Sequence, residues 1–262
     1  MKLVFASLIV SSCAWADMTP AEIVRRATSR EAENAALRRQ YTYRESISER
    51  VGKRVDSKVN DVFFIGGKEF RKAIVKDGKP LTGKDAEKEQ AKLDREIQKF
   101  KQENPAETRK RVAKQQREDE EFREQFAKGF DFRIVSEELV SGRPCYRVHA
   151  EPKVGFAWEG EAKVLGKLKG DMWIDKERFN WARLEAESTE AITGFAGLLR
   201  LAKGTTVRVD RTLVNREVWF PEKIEVQAQA RAALFIKAAI DVEIVCSNFR
   251  KYSVDSTITL SE

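Results

Sequence analysis

Histidine is nearly absent from this sequence of 262 residues, which holds one histidine and three cysteines. Any two-histidine zinc site or histidine-based catalytic dyad would therefore depend on His149. His149 lies four residues from Cys145 on a predicted strand, a separation of about 13 Å at ~3.3 Å per residue. A local Cys/His nucleophile pair is thus excluded unless Cys246 approaches in the fold. The sequence also lacks the motifs G-x-S-x-G and H-E-x-x-H and a P-loop.

Long apolar runs are absent as well. The apolar stretch at 3–10 follows Lys2 and precedes Ala14-Trp15-Ala16, which together match a secretory signal peptide over residues 1–16. The stretch is far shorter than the ~20 residues that a membrane-spanning helix requires, and no later segment reaches that length without charges. We expect the mature chain to begin at Asp17 and to be exported to the periplasm.

A second interpretation of the leader concerns Cys13. Residues 10–13 (V-S-S-C) resemble a bacterial lipobox, in which Cys13 would be lipidated and would anchor the protein to a membrane. The stretch before Cys13 is short for a lipoprotein signal, so the sequence favours simple cleavage after Ala16.

The charge of the chain is modest and evenly distributed. Removal of residues 1–16 takes away Lys2 and no acidic residue, which changes the formal net charge from +7 to +6. Lysine and arginine alternate with acidic residues, which argues against nucleic-acid binding. Weak peripheral contact with anionic lipid surfaces remains open.

Cys145 and Cys246 have two possible roles. Export permits a disulfide between them, but its formation depends on which strands are adjacent. The alternative, which base rates favour, is two buried thiols that act as small apolar residues.

The first element predicted in the mature chain is a helix. Thr19, Pro20 and Glu22 form an N-terminal capping pattern, and the helix is expected to run to about Arg39. Period-two alternation then predicts strands over 41–51, 55–65 and 70–75, with turns between them.

The middle of the chain, residues 84–128, is dense in charged side chains of both signs. Its apolar residues are spaced by three and four, which predicts a charged helical hairpin laid against a sheet. The alternative is an arm that binds a partner or nucleic acid. The aromatic edge of this hairpin, Phe100, Phe122 and Phe126, needs a surface to cover.

Successive strands with short turns follow Gly129 and predict an antiparallel meander. The expected fold class is α+β: a curved antiparallel sheet, or unclosed half-barrel, with an N-terminal helix and the charged hairpin insertion. We expect residues 17–262 to form a single domain.

Apolar residues in unusual positions are the strongest functional signal. A glycine-broken hydrophobic stretch at 194–201 stands where a connection should be polar, and 230–240 carries apolar residues on both strand faces. These residues either fill an ordinary core or line an apolar cavity. The candidate cavity residues are Phe195, Leu198, Leu199, Leu201, Phe235 and Ile236, with Phe100, Phe122 and Phe126 as a lid.

Two hairpins resemble those of LolA-like proteins, which include periplasmic lipoprotein carriers and related regulators of envelope stress. Residues 168–175 (LKGDMWID) and 181–185 (WARLE) resemble the W-I-D … R-x-E hairpin of that group, and 214–221 (VNREVWFP) resemble the hairpin after it. The segments 41–43 and 77–81 are similar to a large uncharacterised bacterial branch. The resemblance implies an unclosed antiparallel half-barrel whose concave face holds acyl chains under covering helices.

The leading hypothesis is a non-catalytic periplasmic protein that binds a lipid or lipidated protein, with no cofactor and no metal. An envelope interaction or sensor module that binds another protein is the alternative. A minor alternative is an exported hydrolase that uses carboxylates such as Glu185 and Glu187, although alternate positions on one strand commonly form a solvated face.

Overall fold

The computed structural model describes residues 18–194, 199–232 and 236–252. The helices are α1 (Pro20–Arg38), α2 (Gly83–Lys101), α3 (Pro105–Gly129) and a 3₁₀ helix (Gly160–Lys167). The strands are β1 (Tyr41–Val51), β2 (Arg54–Ile65), β3 (Lys68–Lys76), β4 (Lys79–Pro80), β5 (Phe130–Val140), β6 (Arg143–Pro152), β7 (Leu168–Asp175), β8 (Trp181–Ser188), β9 (Ile192–Gly194), β10 (Leu199–Leu201), β11 (Thr206–Val214), β12 (Val218–Ala232) and β13 (Ile236–Lys251).

The described strands form one antiparallel sheet with two free edges. The order is β4-β3-β2-β1-β13-β12-β11-β8-β7-β6-β5, and the short β9–β10 hairpin attaches to the far end of β12. The last strand, β13, pairs with β1, so the two ends of the described chain meet in the middle of the sheet. Because β4 and β5 stay apart as edges, the predicted α+β class with an unclosed curved sheet is confirmed.

Helix α1 crosses the sheet from one half to the other. The side-chain oxygen of Thr19 accepts a hydrogen bond from the backbone N–H of Glu22 at 3.2 Å, as the capping pattern predicts. The first turns bury Ile23 and Val24 in a cluster with residues of β5, β6 and β7. Near the other end, Leu37 packs against a second cluster formed by residues of β1 and β12. One helix therefore covers both halves of the sheet.

The charged segment folds as two helices that cover different places. Helix α2 packs Leu93, Ile97 and Phe100 on Phe63 and Phe70 of β2 and β3. Helix α3 instead contacts α1 and the 3₁₀ helix, close to β5. The predicted helices therefore form, but their aromatic residues face separate surfaces.

The connection between β6 and β7 holds an element that the sequence patterns did not predict. Trp158 of this connection packs against the main apolar cluster. A Cβ atom added to Gly129 or to Gly166 would lie 2.5 Å from the Trp158 ring, so the ring occupies space that only glycine leaves open at both positions. The 3₁₀ helix is thereby held against the sheet and α3.

A buried polar cluster fixes α1 on the sheet. The amide nitrogen of Asn34 donates to the backbone carbonyl of Trp219 at 2.7 Å, and the Asn34 carbonyl oxygen accepts from the Trp219 N–H at 2.7 Å. The neighbouring Arg211 side chain is 1% exposed and donates to Glu31 at 2.8 Å and to the carbonyls of Trp181 and Trp219 at 3.1 Å. These bonds connect α1 directly to β8, β11 and β12.

Cys145 and Cys246 are free thiols in the structure, so the disulfide that the sequence left open does not form. Their strands, β6 and β13, are separated by β7, β8, β11 and β12, a distance of about 24 Å at ~4.8 Å per strand. A disulfide requires Cα atoms within about 7 Å. Both thiols are buried, which agrees with the role of small apolar residues.

Asn34→Ala should lower the free energy of unfolding by about 2–3 kcal/mol, because it leaves the buried Trp219 N–H without its acceptor. Urea denaturation measures the change. Ser29→Ala, on the exposed side of the same helix, is the control and should stay within ~0.5 kcal/mol of the parent protein. Equal effects of the two substitutions would contradict the anchoring role of Asn34.

Cys145 and Cys246 should resist a thiol reagent at pH 8 until urea unfolds the protein. Burial raises the pKa of the Cys145 thiol to about 11 and that of Cys246 to about 12, so little thiolate is present. Peptide mapping after labelling measures each site separately. Val154→Cys, at a fully exposed position, should label within minutes in the same sample. Equally rapid labelling of either natural cysteine would contradict the buried position of its thiol.

Candidate functional site

A cavity of about 730 Å³ lies on the face of the sheet that the helices cover, here called the inner face. It lies between α1, α3 and the 3₁₀ helix, and strands β7 and β8 form its floor. Its apolar lining is Val24, Ala27, Phe122, Phe126, Ala162, Leu165, Met172, Ile174, Trp181 and Leu184. These residues come from five separate elements, so no single segment of sequence marks the cavity.

A bulge shapes the floor. Met172 pairs with Leu184 and Ile174 pairs with Trp181 across β7 and β8, with a register shift between Trp173 and Ile174. Regular alternation would place Trp181 and Leu184 on opposite faces, since their positions differ by three. The extra residue of the bulge brings both side chains to the inner face. The W-I-D hairpin thus supplies four side chains to one apolar surface.

Helix α3 supplies the aromatic wall. Phe122 and Phe126 are one helical turn apart and point the same way. The Phe126 ring lies 5.2 Å from that of Phe130 and 5.8 Å from that of Phe132, which holds it against β5. Phe122 is 37% exposed and stands nearer the opening. Phe122 is therefore the more exposed ring of the wall, and Phe126 is the more buried one.

The rim of the cavity is acidic. It contains Glu31, Glu118, Asp119, Glu121, Glu159 and Glu161, with Arg123 as the cation among the lining residues. Gln125 ties the two sides of the rim together, because its Oε1 accepts from the Glu159 N–H at 2.7 Å and its Nε2 donates to the Glu159 carbonyl at 3.4 Å. The opening therefore has a defined edge between α3 and the 3₁₀ helix.

The predicted cavity residues lie elsewhere or outside the described part of the chain. Leu201 is half-buried on β10 and does not line the cavity. The backbones of Leu199 and Ile236 belong to β10 and β13. The other three, Phe195, Leu198 and Phe235, fall outside the described residues.

The predicted lid residues divide between two places. Phe122 and Phe126 line the cavity, whereas Phe100 packs with Phe70 at a ring distance of 5.8 Å beneath α2. Sequence reasoning missed the floor residues of β7 and β8 and the 3₁₀ helix. The alternation in 168–175 was visible, but which face the helices would cover was not.

The opposite, outer face of the same strands carries a network of charged side chains. Asp171 accepts hydrogen bonds from Arg147 at 2.6 Å and lies 2.5 Å from Nδ1 of His149. Partial burial raises the pKa of Asp171, but these hydrogen bonds outweigh it and the net pKa is lowered. Glu185, a candidate acid for hydrolysis, is paired with Arg208 at 2.9 Å. Every carboxylate named here already has a protein partner.

Histidine, cysteine and acidic side chains do not cluster as a metal site anywhere in the described ranges. Among the described helices, none has the length and apolarity needed to cross a membrane.

Comparison with known proteins gives distant structural likenesses. No family model matches the chain, and no curated protein matches it. The chain is similar to a DUF1329 family protein from Desulfovibrio piger, with 13% identity, a TM-score of 0.36 and coverage of 92% of this chain and 96% of that one. It is also similar to a putative outer membrane lipoprotein-sorting protein domain from Vibrio parahaemolyticus, with 9% identity, a TM-score of 0.33 and coverage of 90% and 95%.

A LolA superfamily protein from Nitrosomonas europaea is similar at 11% identity and a TM-score of 0.32, with coverage of 90% of this chain and 95% of that one. A LolA superfamily protein is thus among the solved structures to which the chain is similar. At these identities and TM-scores the likenesses carry no information about what this chain binds.

Glu138→Gln should lower the stability of the protein at pH 7 and have little effect near pH 2. Hydrogen bonds from Ser136, Trp173 and Arg147 lower the pKa of Glu138 from 4.5 to about 2. A depressed carboxylate pKa contributes stability above pH 4.5, and that contribution is lost as the pH falls through 2. Urea midpoints measured from pH 7 to pH 2 test this. Asp131→Asn, at an exposed site on the same strand, is the control. A Glu138→Gln deficit that persists unchanged at pH 2 would contradict the assignment.

Proposed function

We propose that this chain is a non-catalytic periplasmic protein that holds the apolar chain of a lipid or of a lipidated protein in the cavity between α1, α3 and the β7–β8 floor. One observation carries the proposal: a cavity of about 730 Å³ is lined by apolar side chains from five separate elements. The leader at residues 1–16 supports export, although it lies outside the described residues.

The size of the cavity supports an apolar ligand. Ligand pockets in proteins commonly measure ~300–1,000 Å³ and are mostly apolar, and the volume here is about 730 Å³. Burial of an aliphatic chain contributes ~0.8 kcal/mol per CH₂, before the cost of restricting the chain. A chain of about twelve carbons can therefore bind with useful affinity without a dedicated polar site.

The side chains that form the floor of the cavity also support binding rather than catalysis. Met172, Ile174 and Leu184 cannot act as acids, bases or nucleophiles. His149 lies on the outer face, because its neighbours Val148 and Ala150 belong to the inner cluster. The single histidine is thereby separated from the cavity by the thickness of the sheet.

The second candidate function is an envelope interaction module, and the free edge strand β5 favours it. Ile134, Val135 and Leu139 on this strand are 39%, 45% and 74% exposed. An exposed strand edge with apolar side chains can pair with an extended segment of a partner protein. The two functions use different surfaces, so substitutions at the cavity and at β5 can separate them.

Thr28→Trp should block the cavity. Thr28 lines the cavity from α1, and its hydroxyl bonds only to the Val24 carbonyl of its own helix at 2.9 Å. The indole ring should fill the space above the floor and lower affinity for a dodecyl chain at least roughly tenfold, since a displaced chain loses most of its buried methylenes. Displacement of the neutral fluorophore N-phenyl-1-naphthylamine measures the affinity.

Ser29→Trp is the matched control. Ser29 is the next residue, lies on the exposed side of α1 and also bonds back to its own helix, to the Arg25 carbonyl at 3.2 Å. This variant should bind the dodecyl chain with the same affinity as the parent protein. Unchanged binding in Thr28→Trp, or an absence of fluorophore binding in the parent protein, would contradict the proposal.

The Leu139→Lys variant tests the second candidate function. Loss of partner binding in this variant, with intact dodecyl binding, would favour the interaction module.

A further inference from the structure

If the cavity binds an apolar chain, as proposed above, the charge of its rim indicates which head group that chain carries. We propose that the ligand carries a positive charge immediately next to its apolar chain, so that the chain lies on the β7–β8 floor while the cationic group stays at the rim. The rim offers six carboxylates against one guanidinium among the lining residues.

Two of the six carboxylates have their charge matched within the protein. Glu31 is bound by Arg38 at 2.8 Å and by Arg211 at 2.8 Å, and Glu118 lies 3.6 Å from Lys114. Asp119, Glu121, Glu159 and Glu161 remain, and none of them forms an ion pair with any residue of the described chain. Set against Arg123, these four leave a net charge of about −3 at the opening.

This local sign is opposite to that of the whole protein. The chain has a formal net charge of +7, so a rim assembled without regard to charge would more often be neutral or basic. The acidic groups also come from separate segments: Asp119 and Glu121 from α3, Glu159 from the N-cap of the 3₁₀ helix and Glu161 from its first turn. The fold therefore concentrates negative charge at this opening.

The outer face shows the contrast. There Asp171, Glu185 and Asp210 all form ion pairs with arginines, as in the pairs Arg147–Asp171 and Arg183–Asp210. At the rim Asp119 accepts a hydrogen bond from the neutral amide of Gln115 at 2.9 Å, which leaves its charge unmatched. A carboxylate without a cationic partner beside an apolar wall projects its field into the opening, because apolar walls focus field lines. The head group of an anionic lipid would be repelled at this rim, whereas an ammonium group would be attracted.

The test compares two probes with the same chain length and opposite charge. Dodecylammonium and dodecanoate each displace N-phenyl-1-naphthylamine from the parent protein at low ionic strength and neutral pH. We expect dodecylammonium to bind more tightly by on the order of tenfold. The difference should shrink as salt rises, since the Debye length falls to ~10 Å at 0.1 M ionic strength.

Two double variants test whether the rim carboxylates cause the preference for dodecylammonium over dodecanoate. Glu121→Gln with Glu161→Gln should reduce the preference for dodecylammonium roughly threefold to fivefold, because two of the unpaired carboxylates are removed. Glu87→Gln with Glu96→Gln makes the same change in net charge on exposed positions of α2, away from the cavity, and should leave the preference unchanged. Equal losses in the two double variants would overturn the rim assignment.

The outcomes distinguish this inference from the proposed function. Equal affinity for both probes, abolished by Thr28→Trp, would overturn the charge preference and leave apolar-chain binding in place. Binding of neither probe would overturn both.

The same chemistry can come from a free amphiphile or from an acylated polypeptide with basic residues next to its acyl group. A lauroyl-Gly-Lys-Lys peptide and its lauroyl-Gly-Glu-Glu counterpart form the second pair of probes. Tighter binding of the lysine peptide supports the polypeptide source. If dodecylammonium binds more tightly than dodecanoate but the two peptides bind equally, the result supports the free amphiphile. No preference in either pair overturns the inference.

Discussion

The buried guanidinium of Arg211 is the interaction on which the arrangement of helix and sheet depends. A charge inside a protein is costly unless it is paired and hydrogen-bonded. Arg211 meets this condition through Glu31 of α1 and the carbonyls of Trp181 and Trp219, and its guanidinium lies 4.2 Å from the centre of the Trp181 ring. Burial lowers its pKa to about 10 while Glu31 opposes that shift, so the group stays charged at neutral pH.

Arg211 also fixes the relative positions of two residues that line the cavity. Glu31 and Trp181 both contact Arg211, and both also line the cavity. The guanidinium therefore sets the position of one rim residue relative to one floor residue. With α1 held in this way, Val24 and Ala27 pack in the main apolar cluster of the sheet, and α3 is held by its contacts with the 3₁₀ helix and by the contact of Phe126 with Phe130. Side chains in protein interiors are normally close-packed. The cavity therefore results from the way in which the helices are placed on the sheet.

The β7–β8 hairpin has a different chemistry on each of its two faces. Its inner side chains, such as Met172 and Ile174, form an apolar floor, and its outer side chains, such as Asp171 and Arg183, form ion pairs across neighbouring strands. Strand alternation places these side chains on opposite faces, and on the outer face Arg147 and Arg183 lie over the ring of the buried Trp173. On the outer face Asp171, Glu185 and Asp210 are ion-paired, whereas four of the six acidic residues at the rim have no ion pair within the described residues.

Local patterns in the sequence determined most of the secondary structure. The cap at Thr19, the alternation in 41–51 and the turns between later strands depend on neighbouring residues alone, and the corresponding elements form close to their predicted positions. Tertiary structure decided which surfaces these elements cover. Phe100 and Phe126 belong to the same charged segment and have similar local surroundings in sequence, yet they pack at different places on the molecule. The separation of Cys145 from Cys246 and the assembly of the cavity have the same origin. Strand order and helix placement arise from contacts between residues far apart in the chain, and those contacts leave no periodic signal in any one segment.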